Sequence, residues 1–178
     1  MTPPERHEAV FYSDDRQLLD HLSRFIAAAL NAGNGAVVVA TRGHQESLVQ
    51  SLEASGVDVA AALKQGRYIV VDAADALSSC MANGMFVSTR FFQSFENLML
   101  TTASAVQGKH PRVAFFGECV DLLRKQGNAE AAIQAEKLGN QLAARYAMDI
   151  LCGFNGSSGR YEKRSHPENL RRAFGRLS

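Results

Sequence analysis

Residues 36–41 read Ala-Val-Val-Val-Ala-Thr, a run in which apolar side chains occupy even and odd positions alike. Because neighbouring residues of a strand face opposite sides of a sheet, this run predicts a strand that is buried on both faces. Such strands lie in the middle of parallel sheets that helices cover from two sides. The stretch therefore predicts an α/β protein.

Similar runs recur along the chain, each followed by a helical pattern. Four further runs cover residues 9–12, 68–71, 112–116 and 150–154. Apolar residues recur at helical spacing between them, and after Asp72 we predict a helix that continues to Asn83. Parallel neighbours require crossovers, and these are right-handed. We predict a three-layer, doubly wound α/β fold, with a mostly parallel five-stranded sheet and helices on both faces.

The composition fits one globular domain and excludes several classes of protein. The 178 residues are 46% hydrophobic, and the formal net charge of +1 gives no general attraction to nucleic acid or to a membrane. All apolar runs are far shorter than the roughly 20 residues that span a bilayer. With no signal-peptide pattern at its start, we expect the chain in the cytoplasm. Three widely spaced cysteines without a CxxC predict reduced thiols and no structural zinc site.

The last 22 residues differ from the rest of the chain. Residues 160–178 hold six Lys or Arg against two Glu, a balance of +4, and they follow a Gly- and Ser-rich stretch. The sequence Ser-His-Pro-Glu at 165–168 matches a capping box and predicts a short amphipathic helix. We therefore divide the chain into an α/β domain at 1–156 and a flexible linker with a basic helix at 157–178. That helix docks on the domain, contacts nucleic acid or binds a protein partner.

Polar side chains follow the predicted strands at the points where they end. Ligands of doubly wound folds bind at the carboxyl ends of the strands, so these side chains are the candidate ligand-binding residues. They are Tyr12, Asp14, Arg42, His44, Asp72, Glu118, Cys119 and Asn155.

Glu118 is the most informative of these residues, and it has two interpretations. A carboxylate at the end of an apolar strand can act as a base, hold a metal-bound water or accept a hydrogen bond from a ligand. It can equally be a charge that the helix dipole stabilises. Cys119, at the same helix start, is either a nucleophile with a lowered pKa or a small packed side chain. His44 either binds an anion or polar ligand together with Arg42 or caps its helix.

The common nucleotide and nucleophile motifs are absent from the sequence. It contains no GxxxxGK[ST], no GxGxxG after a strand and no GxSxG. We therefore predict no catalytic residues, no metal site and no cofactor. Phe86, Phe91, Phe92 and Phe95 form either an apolar ligand pocket or part of the core.

Five segments, taken in order, resemble those of one known family. They are HEAVFY at 7–12, GAVVVAT with His44 at 35–44, GRYIVVD at 66–72, RVAFFGE at 112–118 and EKLGN at 136–140. Together they resemble the MEDS family, a sensory domain named for regulators of methanogens and methylotrophs. The positions that match the family's recurrent residues are His7, Tyr12, His44, Asp72, Gly117, Glu118 and Asn140.

The resemblance implies a RecA-like or KaiC-like core without its phosphate loop. It also implies a role in sensing a small molecule, such as a hydrocarbon derivative, without catalytic turnover. Members of the family are often fused to a DNA-binding or kinase module, whereas this sequence ends 24 residues after Phe154. We therefore expect the signal to reach a separate regulatory protein, either a kinase or a transcription regulator, or to pass through the basic tail.

Two other functions fit the same residues. In the first, the chain binds or hydrolyses a nucleotide at a degenerate RecA-like site, where Glu118 activates water and Arg42 holds phosphate. In the second, it is a protein-interaction scaffold whose tail helix docks on a regulator. We expect no membrane contact, and nucleic-acid contact only through the tail. The sequence leaves a homo-oligomer open.

Overall fold

A computed structural model describes residues 6–156 of the chain. The predicted division after residue 156 and the basic helix lie at or beyond the end of the described residues. The strands and helices, numbered in chain order, are β1 (Arg6–Tyr12), α1 (Asp15–Asn31), β2 (Gly35–Ala40), α2 (Arg42–Ala54), α3 (Val59–Lys64), β3 (Tyr68–Asp72), α4 (Ala73–Ser79), β4 (Met81–Ala82), β5 (Met85–Phe86), α5 (Ser88–Ala105), β6 (Val113–Gly117), α6 (Cys119–Lys125), α7 (Ala129–Arg145) and β7 (Met148–Asn155).

Five strands form the main sheet in the order β1-β7-β6-β2-β3. Every pair of neighbours in it is parallel. Helices α1, α2 and α3 supply the buried side chains of one face, and α4, α5, α6 and α7 supply those of the other. The predicted three-layer α/β fold with helices on both faces is confirmed.

Strand β2 is the buried centre of the sheet. All six of its residues are buried, and its alternate side chains enter different cores. Val37 and Val39 pack in the core of α4 to α7, while Ala36, Val38 and Ala40 pack in the core of α1 to α3. The apolar run therefore has the double burial that its sequence predicts.

The connections that leave β2 and β6 run in opposite directions across the sheet, from β2 to β3 and from β6 to β7. The helix after β2 packs on one face and the helix after β6 packs on the other, as the core residues Leu48 and Leu123 show. These two strands are hydrogen-bonded neighbours. Where the connections of adjacent strands diverge to opposite faces, a doubly wound sheet has a crevice at its carboxyl edge. This switch point lies directly after Ala40 and Gly117.

The prediction of a helix from Asp72 to Asn83 is wrong in its second half. Helix α4 ends at Ser79, and a hairpin of β4 and β5 follows. Asn83 and Gly84 connect the two strands with φ values of 52° and 75°. Two-residue hairpin turns require positive φ at both positions, and Asn-Gly is the pair that adopts it most readily. The dipeptide thus overrides the apolar spacing around it.

The structure bears on three expectations from the sequence, which concern the cysteines, membrane-spanning helices and metal sites. Cys80, Cys119 and Cys152 are free and buried. Among residues 6–156, no helix is both long enough and apolar enough to cross a membrane. The same residues contain no cluster of three or more His, Cys, Asp or Glu side chains that could hold a metal ion.

Gly35 is required because helix α5 lies directly against the start of β2. A Cβ atom at this position would lie 2.5 Å from Thr102 Cγ2, and Thr102 is fully buried. We predict that Gly35→Ala lowers the free energy of unfolding by about 1–3 kcal/mol, because added atoms overpack the core. Urea unfolding measures this change.

Gly43 provides the matched control for that variant. A Cβ atom there would meet no atom within 4 Å, and Gly43 lies in helix α2. Since alanine favours a helix more than glycine does, Gly43→Ala should leave stability unchanged or raise it by up to about 1 kcal/mol. Equal losses in the two variants would contradict the close approach of α5 to β2.

Candidate functional site

The carboxylate of Glu118 spans the switch point between β2 and β6. Its side chain is buried, with 4% of the residue exposed. Oε2 accepts a hydrogen bond of 2.7 Å from the backbone N–H of Thr41, and Oε1 lies 2.6 Å from Nδ1 of His44. Glu118 precedes α6 but makes no side-chain capping bond to it. The carboxylate therefore binds the end of β2 and the start of α2 rather than its own helix.

His44 links that carboxylate to a second one. Its Nε2 atom lies 3.2 Å from Oδ1 of Asp15, in the first turn of α1. Both ring nitrogens face carboxylates, so only the doubly protonated imidazolium donates to both. The hydrogen bond to Glu118 raises the pKa of His44, burial opposes this, and Asp15 adds a smaller increase. When both ring nitrogens carry a proton, His44 at the start of α2 thus donates to Asp15 at the start of α1 as well as to Glu118.

Tyr12 closes the cluster at the end of β1. The residue is 3% exposed, and its ring meets the imidazole of His44 edge-on at 6.2 Å between centroids. Burial raises the pKa of Tyr12, and the neighbouring carboxylates of Glu118, Asp121 and Asp15 raise it further. The phenol therefore stays protonated and donates a hydrogen bond to Glu118.

The other predicted site residues lie at the same edge but in different roles. Asp14 and Asp72 cap α1 and α4, accepting from backbone N–H groups at 3.0 Å and 2.9 Å. Arg42 is exposed at the first residue of α2. Asn155 lies beside Tyr12 in the register of β7 with β1. Of the eight predicted residues, the structure thus brings Tyr12, His44 and Glu118 into one cluster.

The geometry decides between the two interpretations of Cys119. The residue is 2% exposed and belongs to the core of α4 to α7. Its thiol donates to the carbonyl of Ala73 at 3.7 Å, and burial raises the pKa of the thiol. A thiol that is buried and stays protonated is a packing residue rather than a nucleophile.

Asp15 is the exposed member of the cluster. Its side chain is 67% exposed, whereas that of His44 is 13% exposed and that of Glu118 only 5%. A hydrogen-bonding group of a ligand that displaced Asp15 would meet Nε2 of His44, with the phenol of Tyr12 nearby.

The sequence profile of one family extends over almost the whole domain. The family described as MEDS, the "MEthanogen/methylotroph, DcmR Sensory domain", matches residues 6–173. The chain belongs to the MEDS family. The resemblance seen in five short segments is therefore confirmed, and with it membership of a family of sensory domains.

A solved structure has the same architecture as this MEDS domain. It is the crystal structure of an uncharacterized protein, PH0321, from Pyrococcus horikoshii in complex with an unknown peptide. The TM-score is 0.64 at 15% sequence identity, covering 94% of this chain and 74% of that one. Identity this low supports the fold alone. No curated protein matches the sequence.

The sequence analysis missed two acidic residues of the MEDS domain. Asp15 follows the capping Asp14, and only the structure shows that it reaches His44. Glu136 lies in α7 on the same side as the buried Ala132 and Ala135. A carboxylate inside an apolar helical stripe is a recognisable signal, although the repeat alone does not tell what surrounds it.

Glu136 is a buried carboxylate without a partner. Only 2% of the residue is exposed, and neither oxygen has a hydrogen-bond partner among residues 6–156. Burial raises the pKa of Glu136 to about 7, while the guanidinium of Arg124 acts in the opposite direction. His7 lies in the same region of the MEDS domain, with Nδ1 2.6 Å from Oδ1 of Asn140 and Nε2 3.4 Å from Sγ of Cys152.

The stability of the MEDS domain should depend on the proton of His44. The folded-state pKa is raised, so the charged pair with Glu118 contributes fully below about pH 6.5, the unfolded pKa, and is lost as pH rises through the folded pKa. We predict that His44→Asn loses about 1 kcal/mol more stability at pH 6 than at pH 9, because a charged hydrogen bond is stronger than a neutral one. Urea unfolding at both pH values tests this.

His21 supplies a control because it is an exposed histidine of α1. His21→Asn should follow the wild-type stability at both pH values. If His44→Asn lost the same amount at pH 6 and pH 9, the proton of His44 would have no part in joining α1 to α2.

Glu136 should produce the opposite dependence on pH. Its proton is held in the folded state up to about pH 7 but only to about 4.5 in the unfolded chain, so stability falls as pH rises between these values. Glu136→Gln removes that fall. We predict that the variant gains up to about 3 kcal/mol over the wild type between pH 4.5 and 7.

Urea unfolding at pH 5 and pH 8 measures the gain. Glu130→Gln is the control, because Glu130 is exposed in the first turn of the same helix. Parallel profiles of the wild type and Glu136→Gln would show that the carboxylate is not desolvated in the folded protein.

Proposed function

We propose that this chain is a non-catalytic sensory domain that binds a small molecule at the carboxyl edge of its sheet and signals to a separate regulatory protein. The observation that carries the proposal is the position of Glu118 at the switch point, where its carboxylate bridges β2 and α2. Ligands of doubly wound folds bind in this crevice. Membership of a sensory family supports the same role.

The contacts of Glu118 suggest how binding would be transmitted. Its two oxygens are taken by Thr41 and His44, and His44 in turn reaches Asp15. A ligand that replaced Asp15 on the imidazole would release the beginning of α1 from that of α2. A regulatory protein that contacts these two helices would then meet a different surface in the bound and free states.

The ligand that suits this edge carries a hydrogen-bonding group. His44 offers Nε2 as a donor once Asp15 is displaced. The resemblance to the MEDS family implies a small molecule such as a hydrocarbon derivative, here one with a polar substituent. A polar substituent would accept from the imidazole while its carbon body contacts the phenol ring. Three expectations stay predictions. They are the likeness to RecA and KaiC cores, a kinase or transcription regulator as the partner, and a cytoplasmic location.

A ligand panel tests the proposal on the full chain. We would measure thermal unfolding with 1-propanol, acetone, acetate, chloroform and ATP with Mg²⁺, in the wild type, Glu118→Gln and Glu130→Gln. Binding to the native state raises Tm, and a ligand at 100 times its Kd adds about 2.7 kcal/mol of stability. We expect at least one organic compound to raise Tm in the wild type and in Glu130→Gln, but not in Glu118→Gln.

The same panel contains the results that would contradict the proposal. A shift of equal size in Glu118→Gln would place the ligand away from the switch point. A shift with ATP alone would favour the nucleotide-binding function instead. If no compound raised Tm, weight would move to the scaffold function, and the search would turn to a protein partner.

A further inference from the structure

A small cavity lies inside the core of α4 to α7, separate from the carboxyl edge. Its volume is about 40 Å³, and it lies between the sheet and helices α5, α6 and α7. The rings of Phe91, Phe95 and Phe115 form much of its wall. Phe91 and Phe95 are stacked with centroids 4.2 Å apart, and Phe95 is 5.3 Å from Phe115. The wall is therefore largely aromatic.

Glu136 lines this cavity and is the feature that its apolar wall does not explain. Both oxygens lack partners among the described residues, and 2% of the residue is exposed. A carboxylate removed from water without a partner destabilises a fold, and buried polar groups in proteins are nearly always paired. A ligand in this cavity would supply the missing partner.

We propose that this cavity binds a small organic cation, methylammonium, whose ammonium group pairs with Glu136 and whose methyl group lies against the phenyl rings. The carboxylate supplies the opposite charge, and aromatic faces attract cations through their quadrupoles. A cavity of about 150 Å³ accommodates the six carbons of benzene, so a volume of about 40 Å³ restricts the ligand to about two non-hydrogen atoms.

The other polar groups of the cavity are compatible with a cation. Burial lowers the pKa of His7, which keeps the imidazole neutral, and with Nδ1 donating to Asn140 its Nε2 is an acceptor. Burial raises the pKa of Cys152 to about 12, so the thiol near that nitrogen adds no charge. His7 Nε2 is engaged by that thiol, so Glu136 is the acceptor that pairs with the ammonium group.

The charge on Glu136 makes the proposed binding depend on pH. The titratable and charged groups that face it are His7 from β1, Cys152 from β7, and Cys119 and Arg124 from α6. Helix α5 and strand β6 contribute only phenyl rings and Gly117 to the cavity. Because the pKa of His7 is lowered and both thiols stay protonated, Glu136 is the group that titrates between pH 6 and 8.

Isothermal titration of the full chain with methylammonium chloride tests the proposal. We expect binding at pH 8 that weakens about tenfold at pH 6, because protonation with a pKa near 7 removes the anion. Methanol has the same methyl group without the charge and should bind at least tenfold more weakly at pH 8. Sodium chloride at the same concentration controls for ionic strength.

Three variants locate the binding. Glu136→Gln keeps the side-chain shape, and it should lose at least tenfold in affinity for methylammonium, whereas Glu130→Gln on the same helix should keep it. Glu118→Gln should also keep it, which separates this cavity from the carboxyl edge and makes the two proposals fail independently.

Three results would overturn the proposal, and two of them need only the wild type. They are no heat of binding with methylammonium up to 10 mM, roughly equal affinity for methylammonium and methanol at pH 8, and unchanged methylammonium affinity in Glu136→Gln. The first would leave the cavity to water, and the second would make it a neutral apolar site.

Discussion

The double burial of β2 is the constraint on which the rest of the structure depends. Its six residues have no face left for solvent, so both helical layers must be present for the strand to be stable. β2 is also the neighbour of β6, and the helix after β6 packs on the opposite face of the sheet from the helix after β2. The crevice after these two strands, and the cluster around Glu118 that fills it, are consequences of that central placement.

The two buried carboxylates Glu118 and Glu136 differ in their hydrogen-bond partners. Glu118 lies at the end of a strand, and both oxygens have donors within 2.7 Å. Glu136 lies in the middle of a helix, where backbone N–H groups already bond within the helix and none is free for it. The first has both oxygens hydrogen-bonded, whereas burial drives the second towards its neutral form. Position in an element thus decides whether a buried carboxylate has partners.

The parts of this structure that follow from local sequence could be predicted, and those that depend on packing could not. The double-apolar run of β2 determined the sheet, and the rule for strand ends brought Tyr12, His44 and Glu118 to one edge. Asn83-Gly84 is also a turn signal in the sequence, but the apolar spacing around it predicts a helix that continues to Asn83. The environment of Glu136 depends on three helices and three strands meeting, which no local pattern specifies.

The sheet lies between the layer that contains α1 and α2 and the layer that contains Glu136. His44 and Asp15 belong to the first layer, and the helices that line the cavity belong to the second. Substitutions that reshape one layer therefore change few contacts in the other, since the sheet separates the two except at its carboxyl edge, where Glu118 reaches from the start of α6 to His44. In evolutionary terms, the specificity of the cavity and the coupling of α1 to α2 can diverge separately while the five strands stay the same.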